Sequence, residues 1–392
     1  MDKCWCLAPL CFFSVAKVAF ALEPVSFTQG PVQVIPQVSL QAGYDDNIYS
    51  TASGEVESWK SIISPALQLK MVQGKSEYTL NYQLHQGIYQ ESSDDNYTDH
   101  QLDGRVFLDL NSRNRLELVA GYLAGHEGRG TGLNQGTAAL TNNKPVEYHV
   151  NSLFSAYEYG GQEAKGRIRL AATYQDREYD NYRSQTQVKD RENVKMIGTF
   201  FYRVLPKTSL LFELSNEDID YRLSSVNLDS TERKYLLGAT WDATAKTSGT
   251  VKLGYSDKDF DSSAREDGDG SSWEVAMRWA PRSYSVFDIS TNRGTRETDG
   301  TGDYIDSTDF NLQWTHAWSG VWRSRVYLNL SNDDYAKSAR EDDGRTVGLG
   351  LDFFTTRWLN LALDYRYSER DSNQSDLNFE RNAIYLTIQM SL

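Results

Sequence analysis

Residues 382–392 read "NAIYLTIQMSL". Ile384, Leu386, Ile388, Met390 and Leu392 alternate with Tyr385, Thr387, Gln389 and Ser391. A period of two puts the five apolar side chains on one face of a β-strand and the polar ones on the other. The fold turns on what that apolar face meets. In a soluble sandwich it meets a protein core; in a membrane barrel it meets hydrocarbon.

The same alternation recurs along the chain. "SEYTLNYQLHQGIYQ" carries Tyr78, Leu80, Tyr82, Leu84 and Ile88 on one face, and "NRLELVAGYLA" carries Leu116, Leu118, Ala120 and Tyr122. "SSWEVAMRWAP" repeats it with Trp273, Val275, Met277 and Trp279, and "LNLALDYRY" with Leu359, Leu361, Leu363, Tyr365 and Tyr367. Each run has roughly the ten residues that a tilted strand needs to cross a bilayer core. The mean hydropathy is that of a soluble protein, yet alternation hides membrane-facing residues from any average. No stretch beyond residue 25 holds the roughly 18 apolar residues of a spanning helix.

The connections alternate between short and long. "NSRN" (111–114), "LPKTS" (205–209), "ATAKTS" (243–248) and "APRS" (280–283) are tight. Residues 45–58, 126–145, 176–190, 257–271, 293–307, 331–345 and 368–380 are long. Strict succession of tight turns and long loops belongs to an antiparallel up-and-down transmembrane β-barrel and has no cause in a sandwich. Eighteen strands are counted, with sixteen or twenty as the neighbouring even counts, and an even count puts both termini on the periplasmic side. The least regular segment is 283–293, where Tyr284 and Val286 imply one face and Phe287 and Ile289 the other. A bulge there is expected to reconcile them.

"MDKCWCLAPLCFFSVAKVAFALEP" opens the chain with Lys3, an apolar run and Ala19-Phe20-Ala21, a small-x-small cleavage signature. Residues 1–21 therefore read as a secretory signal peptide, 22–36 as a short periplasmic lead and 37–392 as the barrel. All three cysteines, Cys4, Cys6 and Cys11, fall inside the signal segment. Lipidation at Cys11 is disfavoured by Pro9 and Leu10 ahead of it. A mature chain without cysteine has neither disulfides nor thiol chemistry. The outer membrane of a Gram-negative cell is the expected location.

The whole chain has a net charge of −14, and its acids gather in the long connections, as in "SDKDFDSSAREDGDGSS". Such loops read as a solvated exterior in contact with lipid and lipopolysaccharide. A Ca²⁺ reading lacks the fixed spacing of a loop site. Alternation points a second set of charges inward. Arg105, Arg167, Arg169, Lys195, Arg203, Lys252, Arg278, Arg323, Arg325 and Arg366 are expected in the lumen, together with Asp103, Asp109, Glu117, Asp309 and Asp364. Glu213, Asp242, Glu274 and Asp352 share their parity. These residues suit a channel favouring anionic or hydroxyl-rich solutes, and equally a ladder of cross-strand ion pairs. One loop differs from the rest: "GHEGRGTGLNQGTAALTNNK" (125–144) is nearly uncharged and contains Gly125, Gly128, Gly130, Gly132 and Gly136. It either folds inward as a constriction or forms an external tip.

Enzymatic chemistry has little support. His85, His100, His126, His149 and His316 are scattered without metal-ligand spacing, so no catalytic residue, cofactor or metal is expected. An acidic exterior also repels nucleic acid.

"VIPQVSLQAGYDDNIYS" (34–50) resembles the first strand of a family of outer-membrane β-barrels encoded in exopolysaccharide operons. Tyr44, Asp45, Asp46 and Asn47 match that family's Tyr-Asp-Asp-Asn turn, and "AIYLTIQMSL" is similar to its closing strand. Leu392 departs from the aromatic residue that usually ends such barrels. The resemblance implies a porin-like barrel that exports polysaccharide with a periplasmic export complex, and no catalytic residues. The alternatives are a general or solute-specific diffusion porin and a structural or adhesive barrel.

Overall fold

The computed structural model describes residues 27–244 and 246–391; the signal segment and Leu392 lie outside them. In chain order the strands are β1 (Phe27–Gln29), β2 (Val32–Asp45), β3 (Ser58–Gln73), β4 (Ser76–Tyr89), β5 (Tyr97–Asn111), β6 (Asn114–Glu127) and β7 (Val146–Tyr159). Next come β8 (Gly166–Tyr179), β9 (Arg191–Leu205), β10 (Thr208–Tyr221), β11 (Ser230–Thr244), β12 (Thr247–Phe260) and β13 (Gly268–Arg282). The last are β14 (Ser285–Glu297), β15 (Tyr304–Ala317), β16 (Trp322–Tyr335), β17 (Glu341–Thr356), β18 (Leu359–Ser372) and β19 (Phe379–Ser391).

Strands β2 to β19 pair antiparallel with their sequence neighbours, and β19 pairs with β2 from Ala383↔Asp45 to Ser391↔Gln37. The wall is thus a closed barrel of eighteen strands. Closure matters because an open sheet edge in hydrocarbon would leave backbone groups unpaired. Strand β19 leaves the first residues of β2 uncovered, and β1 takes that place by pairing Phe27 with Val34 and Gln29 with Val32. Strand β2 starts five residues ahead of the predicted start at 37, so residues 32–36 belong to the wall rather than to a free lead.

The short turns and both chain ends of the wall lie at one rim, and nine longer loops lie at the other. Several loops are shorter than the sequence suggests. Residues 293–307, read as one loop, contain the end of β14 and the start of β15. Alternation fades there because the strands run past the apolar belt, where neither face needs hydrocarbon neighbours. Charged pairs such as Arg293–Asp306 at 2.7 Å take over instead. The expected bulge in 283–293 is absent from β14, whose ladder to β15 is unbroken from Ser285↔His316 to Glu297↔Tyr304. The irregularity lies on β13 between Trp279 and Arg282. Tyr284 belongs to the turn, so only Val286 departs from the outward set that includes Phe287 and Ile289.

The apolar residues of the alternating pattern form the outer surface. In β19, Ile384 and Leu386 are exposed while Tyr385 and Thr387 are buried on the other face. The outward belt is edged by aromatic clusters. Near the short turns, Trp279 stacks on Phe287 at 5.0 Å, Phe287 on Trp314 at 6.1 Å, and His316 packs on Trp318 at 4.3 Å. Near the long loops, Tyr44 meets Trp59 at 5.7 Å. Amphipathic rings at two levels mark the two membrane–water interfaces.

This placement gives a depth-dependent prediction. Leu237, in the middle of the outer face of β11, is 66% exposed. Leu237→Arg should cost about 2–4 kcal/mol of stability in vesicles, whereas Thr231→Arg, beyond the belt on the same face, should cost about 0–1 kcal/mol. Equilibrium unfolding of the two variants checks it. Equal costs would mean that this face does not contact hydrocarbon.

Candidate functional site

The face opposite the apolar belt is concave. Tyr221 Oη of β10 donates to Glu297 of β14 at 2.7 Å, and Lys258 Nζ of β12 reaches the same carboxylate at 2.7 Å. Side chains from strands so far apart along the wall meet only across its inside.

On this face the register sets every side chain singled out by alternation. Arg105 Nε lies 2.7 Å from Glu117 and its Nη1 lies 3.4 Å from Glu77. Glu158 is shared by Arg115 at 2.7 Å and Arg167 at 2.9 Å, while Arg169 stands 4.0 Å from Glu117. Lys195 pairs with Glu217 at 2.9 Å, and Lys252 sits between Glu213 at 2.8 Å and Glu274 at 3.0 Å. Arg278 pairs with Asp288 at 3.2 Å. Arg325 bridges Asp352 at 3.0 Å and Asp364 at 2.8 Å. Asp103 accepts from Asn81 Nδ2 at 2.7 Å, Asp309 from Asn292 Nδ2 at 3.1 Å, and Asp109 lies 4.0 Å from Lys75. Most of the inner cations are therefore taken up by cross-strand pairing. Of the inward cations that alternation singled out, Arg203, Arg323 and Arg366 have no carboxylate partner among the described residues. Arg323 lies over the Phe354 ring at 4.6 Å and Arg366 over Tyr385 at 6.0 Å.

The glycine-bearing loop folds across the mouth. It runs from 128 to 145 and contains one short helix, α1 (Thr137–Thr141). Gly125 lies in β6, ahead of it. Gly130, Gly132 and Gly136 take positive φ, which lets the chain double back where a side chain would be strained. Gln135 ties three remote segments together. Its Nε2 donates to Asp299 at 2.7 Å, and its Oε1 accepts from Arg340 at 2.6 Å and from Arg370 at 3.2 Å. Asp299 belongs to the β14–β15 loop, on the far side of the ring from β6 and β7. Arg370 also donates to Gly130 O at 2.8 Å, and Arg129 pairs with Asp95 at 2.7 Å while covering Tyr49. Asn134 and Ala139 are fully buried, so this segment is packed rather than solvated.

At the base of the loop Glu127 receives Lys189 Nζ at 2.8 Å and Tyr179 Oη at 2.5 Å. Burial opposes the Lys189 charge, but the adjacent Glu127 carboxylate more than offsets it and holds the ammonium above its usual pKa. Beside the loop lies a cleft of about 970 Å³ between five loops, with Lys189, Tyr221, Leu228, Arg265, Thr298 and Asp303 in its lining. Its charges are also paired, Arg265 with Asp303 and Lys337 with Glu266.

Sequence reasoning missed the residues that pin this loop. Gln135, Asp299, Arg340 and Arg370 lie in different connections, and no local period links them. It also missed Lys60, whose Nζ donates to Tyr89 Oη at 2.7 Å. Lys60 has the inward parity of Ile62 and Ser64, so alternation carried forward from Trp59 would have found it.

The shape has close counterparts among solved structures. It is similar to OccK2 (OpdF) of Pseudomonas aeruginosa, with a TM-score of 0.53 and 11% identity over 92% of this chain and 98% of that one. A BenF-like porin of Pseudomonas fluorescens Pf-5 gives 0.52 and 10% identity over 92% and 99% of the two chains. Pseudomonas aeruginosa OpdK, solved with vanillate, gives 0.51 and 11% over 92% and 99%. No curated protein sequence matches the chain. At such identities the likeness concerns the fold alone. The family is settled by the sequence itself: a family model described as "Putative beta-barrel porin 2" matches residues 21–392, and the chain belongs to that family of outer-membrane barrels.

Proposed function

We propose that the protein is a solute-specific diffusion channel of the outer membrane, with its short turns in the periplasm and the crossing loop at the external mouth. The observation that carries this reading is the loop at 128–145, fixed by Gln135 to the opposite rim. A barrel of eighteen strands without it would be a wide water-filled tube. With it, the open section of the mouth is reduced, and size and chemistry decide what enters. That the OpdK structure holds vanillate and the BenF-like protein is a porin favours small solutes for this shape.

Polysaccharide export, the function that the sequence resemblance implies, has less support. A polymer needs a mouth open along its whole path, and the loop lies across it under bonds that would all have to break together.

Planar-bilayer recording on the purified barrel tests the reading. Steps of small, uniform conductance are expected, unchanged by the cell's own exopolysaccharide. A barrel that conducts nothing, or a large pore occupied by the polymer, would overturn it.

A further inference from the structure

The rim of short turns is basic almost all the way round. Lys75, Arg113, Lys165, Lys207 and Lys246 stand in the first five turns between wall strands, and Arg357 stands in the last. Arg282 ends β13 at the sixth turn, so seven of the eight turns have one cation each. All seven are exposed, and Glu163 is the single acid among the turn residues. Lys75 stands 4.0 Å from Asp109, yet its side chain is still 83% exposed. The turn between β15 and β16 has no cation and presents Trp318 and Val321 instead.

The wall above this rim has a matching polarity. Every carboxylate in the turn-side half of the described wall strands has inward parity. Glu77, Glu117, Glu158, Asp288 and Asp352 are held there by cations of the inner face. The outer face is therefore free of acids next to the turns. Outward acids such as Asp176, Asp218, Asp257, Asp306 and Glu369 begin only on the loop side of the apolar belt. The basic rim also borders exposed rings. Lys165 Nζ lies 5.9 Å from the centre of the outward Tyr202 ring, and Tyr159, Tyr284, Trp318 and Trp358 are exposed beside other turns.

Spacing indicates what meets these charges. Turns two strands apart lie about 10 Å from one another along the rim. They are two to six residues long, too short to reach out and grip a protein. An acidic protein would also call for a patch on one side, whereas these cations encircle the barrel. Single charges at even intervals, under a belt of amphipathic rings, suit many small anions bound side by side at a membrane surface.

We propose that the turn-side rim is a docking surface for the anionic headgroups of phospholipids, with Lys and Arg on the phosphates and the rings at the level just above them. The leaflet assignment rests on the orientation proposed above: with the short turns in the periplasm, these are lipids of the inner leaflet. Acids on the outer face make the loop side unfavourable for the same lipids.

Lipid retention by the full-length barrel tests the proposal. The protein is equilibrated in micelles with equal amounts of phosphatidylglycerol and phosphatidylcholine, separated, and its retained lipid is quantified. At low ionic strength phosphatidylglycerol should be enriched about fivefold or more, the gain expected from even one cation at an anionic surface. About 1 M salt should remove most of that preference. Arg113→Gln/Lys207→Gln/Arg282→Gln should lower the enrichment severalfold, whereas Lys144→Gln/Lys337→Gln/Arg345→Gln on the loop side should preserve it. Circular dichroism of both triple variants reports that the barrel is intact. Equal retention of the two lipids overturns the proposal and leaves the rim to an acidic protein. Enrichment that salt does not reduce, that survives in the turn variant, or that falls equally in both variants also overturns it. Orientation is read separately, in intact cells with a membrane-impermeant thiol reagent. Ser263→Cys in a long loop should react and Ser112→Cys in a short turn should not; the reverse overturns the inner-leaflet assignment. Neither measurement involves current, so a barrel that conducts nothing would remove the channel reading without touching this one.

Discussion

Replacing residues 128–145 by Asn-Gly should raise single-channel conductance about twofold or more. Glu127 and Val146 already face each other across the β6–β7 ladder, so a two-residue turn of the hairpin type joins them without disturbing register. The barrel wall stays complete, because the loop contributes no strand to it. What disappears is the segment fixed across the mouth by Gln135, Gly130 and Arg129. Conductance follows the narrowest section of a pore, so clearing the mouth should widen the path and weaken discrimination among solutes. Gln135→Ala is the milder form: it breaks the contacts to Asp299, Arg340 and Arg370 and should give conductance that fluctuates between two levels as the loop detaches. Recording in planar bilayers decides both. If the deletion leaves conductance unchanged, the narrow section lies deeper and the loop does not set it.

The wall was legible in the sequence and the mouth only in part, for a physical reason. Each strand declares itself locally, since Leu116, Leu118, Ala120 and Tyr122 alternate within a few residues of one another. Strand number follows from the alternation of short and long connections. The rim is harder. Past the apolar belt, β14 and β15 continue by backbone pairing and by pairs such as Arg293–Asp306, and neither leaves a period in the chain. The loop at 125–144 stood out through its glycines and lack of charge, but its destination did not. Gln135 and Asp299 are 164 residues apart and are brought together only by closure of the ring. The packing of Tyr385 against Gly43 is hidden for a related reason: it depends on the register between the last strand and the first.

That same junction carries the largest stability effect expected of any single substitution in the protein. Asp45 is completely buried on the inner face of β2, where β2 meets β19. It accepts from Arg381 Nε at 2.9 Å and Nη2 at 2.5 Å, from Tyr385 Oη at 3.2 Å and from the Asn47 amide at 3.3 Å. Asp46 holds the backbone and side chain of Asn382 at 2.7 and 2.8 Å, and Asn47 Nδ2 donates to Glu380 O at 3.0 Å. The Tyr-Asp-Asp-Asn stretch is thus a clasp joining the first wall strand to the last, which accounts for its distinctness in a chain of otherwise generic strands. Asp45→Ala leaves the Arg381 guanidinium without its carboxylate in a confined site, and losing one partner of such a pair costs about 3–5 kcal/mol. Asp45→Asn keeps the shape and some hydrogen bonds and should cost less. Adding Arg381→Ala to Asp45→Ala should recover much of the loss, because the stranded charge, not the missing contact, dominates it. Urea unfolding in vesicles measures all three. If Asp45→Ala unfolds at the wild-type denaturant concentration, closure of the barrel rests on the backbone ladder alone and the clasp contributes only register.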